Sequence, residues 1–279
     1  MQLQYISTRD QASIPVYWHC AQNSRGTLLL QPALGIQAKL YNELAKGLAE
    51  AGYGTAVIEQ RGHGLSSFSP GYSCNYSFAE TLDFDIPAVM QWLETEVPDV
   101  PRFIGGHSLG GHLSTVYTGM HPEDIHGVVH LACAFPYMND YPAREQRMLR
   151  LLCALIPLCA IIPGYYPGHL LGFGERESIS MMKQWRHWAK TGRFDFDNRK
   201  GLAEAVEAFS GPVISVAFEQ DHFSNSAALE RALSPFCHSS VDKVTLGEAE
   251  QGSYLGHTAW AKSPQGVVTA VSQWLDKAL

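Results

Sequence analysis

The chain has 279 residues, of which 46% are hydrophobic and 17% charged, and this composition is sufficient for one large domain with a substantial core. Its formal net charge is −7 and it has no cluster of basic residues, which argues against nucleic acid as a partner. No basic segment followed by an apolar stretch opens the chain, so we expect no secretory signal.

Six cysteines are scattered along the chain without C-x-x-C spacing, several of them in apolar runs. This pattern is typical of buried, reduced thiols, so we expect a cytoplasmic protein; a disulfide between Cys153 and Cys159 or at the surface is the alternative. The longest apolar run, residues 151–162, contains Pro157 and is too short to cross a bilayer. It predicts a buried helix or a lid that faces a substrate.

The first half of the chain alternates between predicted strands and helices. Short apolar runs predict strands at residues 14–20, 27–31, 55–59, 103–105 and 125–132. Helical spacing of apolar residues predicts helices at residues 40–52 and 78–96, and a third helix after residue 108. Because strands that alternate with helices form right-handed βαβ units, we expect an α/β fold with a mainly parallel sheet and helices on both faces.

This alternation stops at residues 135–209, which carry Pro, Tyr, Trp and Arg without a strand signal. It then resumes, and the pattern predicts strands at residues 213–218 and 241–246 and helices at residues 225–233 and 260–279. We therefore predict a core formed by residues 1–134 and 210–279, with residues 135–209 inserted as a helical cap, or lid. No internal repeat or low-complexity linker separates the two parts.

Residues 106–110 read Gly-His-Ser-Leu-Gly and lie between a predicted strand and a predicted helix. A Gly-x-Ser-x-Gly motif in this context is typical of a nucleophile elbow, in which the serine occupies a strained turn and flanking side chains would collide with their neighbours. The motif predicts Ser108 as a nucleophile. It also predicts that the backbone N–H of Leu109, at the start of the helix, stabilises an oxyanion.

A serine nucleophile needs a histidine base and an acid, which follow the elbow in the order acid, then histidine. Asp221 lies just beyond the predicted strand at residues 213–218, where catalytic groups of parallel sheets gather. Glu219 is the alternative acid, and the alternative role for Asp221 is to cap the next helix.

The predicted base is His257, which precedes the final helix and lies in the loop after the last predicted strand. His222 is the alternative histidine, but its position next to the acid in sequence would not direct its ring toward Ser108. No Cys/His cluster with zinc-ligand spacing and no complete G-x-G-x-x-G motif is present, so we predict neither a metal nor a dinucleotide site.

These motifs together resemble the α/β-hydrolase superfamily. The Arg-Gly-His-Gly-x-Ser and Gly-His-Ser-x-Gly-Gly segments look like its serine-aminopeptidase-like and monoacylglycerol-lipase-like branch. The predicted cap looks like that of a poorly characterised group of bacterial hydrolases. The matching segments are residues 26–35, 60–67, 106–111, 218–221 and 256–257 in the core, and 162–165, 172–174 and 184–188 in the cap. The resemblance implies the α/β-hydrolase fold and the Ser108, Asp221 and His257 triad.

The sequence departs from the superfamily after the strand at residues 27–31, where Pro32-Ala33 replaces the usual His-Gly. The resemblance implies that the next residue, Leu34, supplies the second oxyanion-hole donor through its backbone N–H. Since that donor is main chain, the replacement alters the loop that aims it without removing the donor itself. In the alternative interpretation, Leu34 only packs over the sheet.

We therefore expect a serine hydrolase that cleaves a carboxylic ester or thioester of a small molecule, which carries an acyl chain or an aromatic group, through an acyl-enzyme and without metal or organic cofactor. One alternative is a peptidase or acyltransferase that uses the same acyl-serine. Another is a ligand-binding protein with an idle triad, because a fold does not determine a function.

Overall fold

The computed structural model describes residues 1–279 and contains ten strands. The strands are β1 (Gln2–Ser7), β2 (Ser13–His19), β3 (Gly26–Gln31), β4 (Tyr53–Ile58), β5 (Arg102–His107), β6 (Gly127–Leu131), β7 (Tyr166–Pro167), β8 (Arg176–Glu177), β9 (Val213–Phe218) and β10 (Val241–Leu246). Eight of them form one sheet in the order β1-β2-β4-β3-β5-β6-β9-β10, and β7 pairs only with β8.

The large sheet is mainly parallel. Strands β4, β3, β5, β6, β9 and β10 pair in parallel with their neighbours, whereas β1 pairs with β2 and β2 with β4 in antiparallel fashion. This confirms the predicted α/β-hydrolase sheet. Strand β1 was not predicted, because this edge strand has exposed and half-buried residues in alternation and carries little apolar signal.

Eleven α-helices connect these strands. They are α1 (Asn42–Glu50), α2 (Phe78–Glu80), α3 (Ile86–Glu96), α4 (Leu109–Met120), α5 (Ala143–Ile161), α6 (Gly168–Leu171), α7 (Ile179–Thr191), α8 (Leu202–Ala205), α9 (Ser226–Leu233), α10 (Glu248–Gln251) and α11 (Gln265–Ala278). A π-helical turn at Thr81–Asp85 joins α2 to α3, so the helix predicted at residues 78–96 is continuous but irregular.

Two buried apolar clusters of 47 and 25 residues cover the two faces of the sheet. Leu29 of β3 belongs to the larger cluster and its neighbours Leu28 and Leu30 belong to the smaller one, as the alternation of side chains along a strand requires. The smaller cluster packs under α1 and α11, whereas the larger one also contains buried side chains from α5 and α7.

The region between β6 and β9 is mainly helical, but it also contains the two-residue strands β7 and β8, which the sequence did not predict. Helix α5 covers most of the apolar run at residues 151–162 and continues through Pro157.

None of the helices combines the length and apolar character needed to cross a membrane. All six cysteines are free, so the alternative disulfide between Cys153 and Cys159 is absent.

Candidate active site

The candidate site lies where the sheet reverses its direction of winding. The chain passes from β3 to β4 on one side and then returns to place β5 on the other side of β3. In open α/β sheets, a crevice for ligands forms outside the carboxyl ends of the two strands at such a switch point. Here the loop after β3 carries Leu34 and the turn after β5 carries Ser108.

Ser108 forms a sharp turn between β5 and α4, with φ of 52° and ψ of −115°. A positive φ is strained for a serine and indicates a conformation that the surrounding structure enforces. The flanking glycines are required by close backbone contacts: a Cβ at Gly106 would lie 2.4 Å from the carbonyl carbon of Gly110, and one at Gly110 would lie 2.2 Å from the oxygen of Gln31.

The two residues predicted to supply the oxyanion-hole N–H groups line the same cavity as Ser108. Leu109 is the first residue of α4, where N–H groups have no partner within the helix. Leu34 is half-buried in the turn after β3, and its N–H makes no hydrogen bond within the protein. Both residues line the cavity together with Ser108.

The loop that replaces His-Gly is held by a chain of buried hydrogen bonds. The N–H of Ala33 donates to the hydroxyl oxygen of Tyr41 at 3.1 Å, and this hydroxyl lies 2.8 Å from Nδ1 of His107, the residue before Ser108. The side-chain amide of Gln60 donates to the carbonyl of Pro32 at 2.8 Å. Tyr41 therefore links the loop that contains Leu34 to the nucleophile elbow.

Burial, with the charge of His257 as a smaller cause, lowers the pKa of His107 well below its usual range, so its ring is uncharged at neutral pH. Its Nδ1 lies 2.8 Å from the Tyr41 hydroxyl oxygen, and the same oxygen accepts from the N–H of Ala33. The motif gave no signal for this contact of His107, because its partner Tyr41 lies 66 residues away.

The structure brings Asp221 and His257 together, with 2.7 Å between Oδ2 of Asp221 and Nδ1 of His257. The Asp221 carboxylate also accepts from the N–H of Phe223 at 2.9 Å and from the hydroxyl of Ser224. Burial alone would raise the pKa of Asp221, but the hydrogen bond and charge of His257, with the Ser224 and Phe223 bonds, lower it below its ordinary value. The acid therefore stays ionised beside the imidazole.

The alternative acid and the alternative histidine, Glu219 and His222, do not join the pair formed by Asp221 and His257. Glu219 and His222 are exposed and make no hydrogen bond with Asp221 or His257. Asn225 is the N-cap of α9, since its side-chain oxygen accepts from the N–H of Ala228 at 3.1 Å. Asp221 is therefore not the capping residue of that helix.

A cavity of about 290 Å³ opens beside Ser108 and His257. Its remaining walls come mainly from apolar residues of the loop after β3, of α5, of α7 and of the segment between α6 and β8: Leu34, Ile36, Leu149, Phe173 and Trp185. The aliphatic residues that the sequence suggested for a lid, at positions 151–162, do not line it. Leu152 and Ile156 are buried, whereas Leu151, Leu158, Ile161 and Ile162 are exposed.

Sequence reasoning missed His112, which lies one helical turn after Ser108 and lines the cavity. Its Nε2 lies 3.1 Å from the carbonyl of Ala134 and its Nδ1 lies 3.1 Å from Sγ of Cys133, so both ring nitrogens have partners. Burial lowers its pKa to about 3, which keeps the ring uncharged. The i, i+4 spacing from Ser108 was the signal that could have identified it.

The fold and this site define an α/β hydrolase. More specifically, the chain belongs to the family described as serine aminopeptidase, S33 (Hydrolase_4), which matches residues 22–190, more than half of its length. Two relatives match over shorter segments. An abhydrolase domain-containing protein of Dictyostelium discoideum is 37% identical over 91 residues, and the monoglyceride lipase of Saccharomyces cerevisiae is 29% identical over 109 residues. These segments cover 33% and 38% of this chain, and 9% and 34% of the two relatives.

Solved structures match the whole fold. A soluble variant of the Saccharomyces cerevisiae monoglyceride lipase, bound to a substrate analogue, has a TM-score of 0.68 and 17% identity, over 100% of this chain and 96% of that chain. A carboxyl esterase from Bacillus coagulans has a TM-score of 0.71 and 14% identity, over 99% of this chain and 98% of the other. At these identities the likeness concerns the fold.

Proposed function

We propose that this protein hydrolyses a carboxylic ester or thioester through Ser108, His257 and Asp221. The observation that carries the proposal is the 2.7 Å contact between His257 and Asp221 beside the same cavity as the strained Ser108. The family membership and the names of the lipase and esterase relatives agree with this reaction class. The proposal also assigns residues 135–209 as a cap over the core.

In this proposal, Asp221 accepts the Nδ1 proton of His257 in a hydrogen bond, so Nε2 is free to take the proton of the Ser108 hydroxyl. The serine oxygen attacks the substrate carbonyl, and the N–H groups of Leu109 and Leu34 stabilise the oxyanion. His257 then donates the proton to the leaving alcohol or thiol. Water, activated by the same histidine, hydrolyses the acyl-enzyme and regenerates Ser108.

Labelling with a fluorophosphonate probe tests the nucleophile. We expect wild-type protein to label, and Ser108→Ala and His257→Ala to lose labelling while they retain the wild-type circular dichroism spectrum and melting curve. Absence of labelling in folded wild-type protein would contradict the proposal and favour a ligand-binding protein. Adding amine or alcohol acceptors to a turnover assay then separates hydrolysis from acyl transfer, because transfer forms a new amide or ester product.

A further inference from the structure

The cavity beside Ser108 is small, and bulky apolar side chains form part of its wall. Pockets that hold drug-sized ligands typically measure about 300–1,000 Å³, so a cavity of about 290 Å³ lies at the lower limit of that range. Leu149 and Trp185 form part of the wall, and both are buried. Phe173 packs against Trp185, with 5.0 Å between the ring centroids.

The lining carries no Asp, Glu, Lys or Arg side chain. The polar side chains inside it are largely occupied: both nitrogens of His112 have partners, and the hydroxyl of Tyr141 donates to the carbonyl of Phe135 at 3.1 Å. The nearby carboxylate of Asp221 is engaged by His257 and by the loop after β9. A cationic group that entered this cavity would lose its hydration without gaining an ionic partner.

The wall that carries Phe173 is fixed to the core at two points. First, its segment touches the turn after Leu34 so closely that a Cβ on Gly35 would lie 2.4 Å from Cα of Gly174. Second, the buried carboxylate of Glu177 accepts from the N–H of Glu175 at 2.8 Å and lies 3.1 Å from Nε2 of His63 in the core. These contacts attach the segment that carries Phe173 to the core.

From these observations we infer that the site accepts an uncharged acyl group of short or medium length, or a single aromatic ring, and that it rejects substrates with a free amino group beside the scissile carbonyl. This inference rests on the proposed ester or thioester hydrolysis. It separates the protein both from aminopeptidase activity, which requires recognition of an ammonium group, and from hydrolysis of long-chain acyl esters.

The size limit is tested with nitrophenyl esters from acetyl to palmitoyl, together with the benzoyl ester. Burial of each methylene improves kcat/KM about fourfold until the cavity is full. We therefore expect a rise up to an optimum between butanoyl and octanoyl and a steep fall beyond it. Benzoyl should react within about tenfold of the optimum, because the ring fits between aromatic and aliphatic walls.

Two variants enlarge the cavity from different elements. Leu149→Ala on α5 and Phe173→Ala on the segment before β8 should each move the optimum toward longer chains by about two carbons or more, since removed side-chain volume becomes available to the acyl group. Leu151→Ala is the matched control, because Leu151 lies on the same helix but is exposed and outside the lining. Its profile should match that of the wild type, and Phe173→Ala preserves the test if Leu149→Ala does not fold.

The charge limit is tested with alanine nitrophenyl ester and its N-acetyl counterpart, which differ in the ammonium group. We expect the free amine to react at least about 100-fold more slowly in kcat/KM, because its charge is unpaired in the cavity. Equal rates, or a chain-length optimum at palmitoyl that none of the variants shifts, would overturn the inference. If these results came from protein whose Ser108 labels with fluorophosphonate, only the substrate class would be wrong, and the hydrolase proposal would stand.

Discussion

At the scale of single residues, Tyr41 anchors the loop whose sequence departs from the superfamily. The superfamily's His-Gly is replaced by Pro32-Ala33, and the hydroxyl of Tyr41 accepts from Ala33 and lies 2.8 Å from Nδ1 of His107. The aim of the Leu34 N–H therefore depends on a side chain from the segment before α1. The replacement of His-Gly by Pro32-Ala33 indicated that this loop is held differently, but it did not indicate that Tyr41 is the residue that holds it.

We expect Tyr41→Phe to lower kcat about 10- to 100-fold with little change in KM, since a misaligned oxyanion donor acts in the transition state, and loss of a donor costs about 10²- to 10³-fold. Esterase kinetics on a butanoyl ester measure this. Tyr53→Phe is a control, because it also removes one tyrosine hydroxyl. That hydroxyl is partly buried and donates to Asp276 at 2.6 Å, and Tyr53 does not line the cavity. A wild-type kcat in Tyr41→Phe would contradict the positioning role.

Asp221 and Glu219 provide a second comparison at this scale. In the proposed mechanism, Asp221→Asn removes the charge that stabilises the imidazolium of His257, and we expect kcat to fall about 10³- to 10⁴-fold. Glu219→Gln should stay within about twofold of the wild type, since Glu219 is exposed and makes no contact with His257. Steady-state kinetics of the two variants on the same ester decide between the two acids.

At the scale of elements, the positions of the parallel strands along the chain follow from the sequence pattern, whereas the irregular segments do not. Strands β9 and β10 occupy the predicted residues 213–218 and 241–246. The closing helix begins at Gln265 and not at residue 260, because a 3₁₀ turn at Ala259–Lys262 precedes Pro264. Periodicity over a short window cannot distinguish this 3₁₀ turn and the π-helical turn at Thr81–Asp85 from a regular helix.

The contact between His63 and Glu177 gives a pH-dependent prediction for the segment before α7. Burial lowers the pKa of His63, but the hydrogen bond and charge of Glu177, with Glu59 nearby, raise it above its ordinary value. A raised folded-state pKa contributes stability that is complete below the unfolded value of about 6.5 and is lost as pH rises through the folded value. The ion pair should therefore stabilise the protein most at mildly acidic pH.

We expect the melting temperature of Glu177→Gln to lie furthest below that of the wild type at pH 5.5 to 6 and to approach it as the pH rises past 7. Glutamine keeps the size of the side chain and an oxygen for the Glu175 N–H, so the comparison isolates the charge. Differential scanning fluorimetry across this range measures it. A difference that grows with pH would show that the pair is not ionic.

At the scale of the whole molecule, a buried ion pair joins distant parts of the core. The Arg61 guanidinium donates to Asp85 at 3.0 and 3.1 Å from Nε and at 2.6 Å from Nη2, and it lies 2.8 Å from Asp10. Arg61 belongs to the loop after β4, Asp85 to the turn before α3, and Asp10 to the connection between β1 and β2. The interaction thus ties the antiparallel edge of the sheet to a helix on its face.

Arg61→Ala should destabilise the fold by about 3–5 kcal/mol, because it leaves the carboxylate of Asp85 buried without its partner. Arg25→Ala, which removes a half-exposed pair with Asp276, should cost about 1 kcal/mol or less. Urea unfolding of the two variants and the wild type measures both values. Similar losses in the two variants would show that burial of the Arg61 pair does not govern its contribution.

The local sequence by itself determined the α/β alternation, the mainly parallel sheet and the candidate residues Ser108, Asp221 and His257. These features depend on apolar periodicity, on glycines at a strained turn and on positions at the ends of strands, all of which a short window of residues records. Only the tertiary structure decided that Tyr41 holds the loop of Leu34, that Glu177 pairs with His63, and which side chains limit the cavity. Such contacts join residues far apart in the chain, and their partners are selected by how the elements pack.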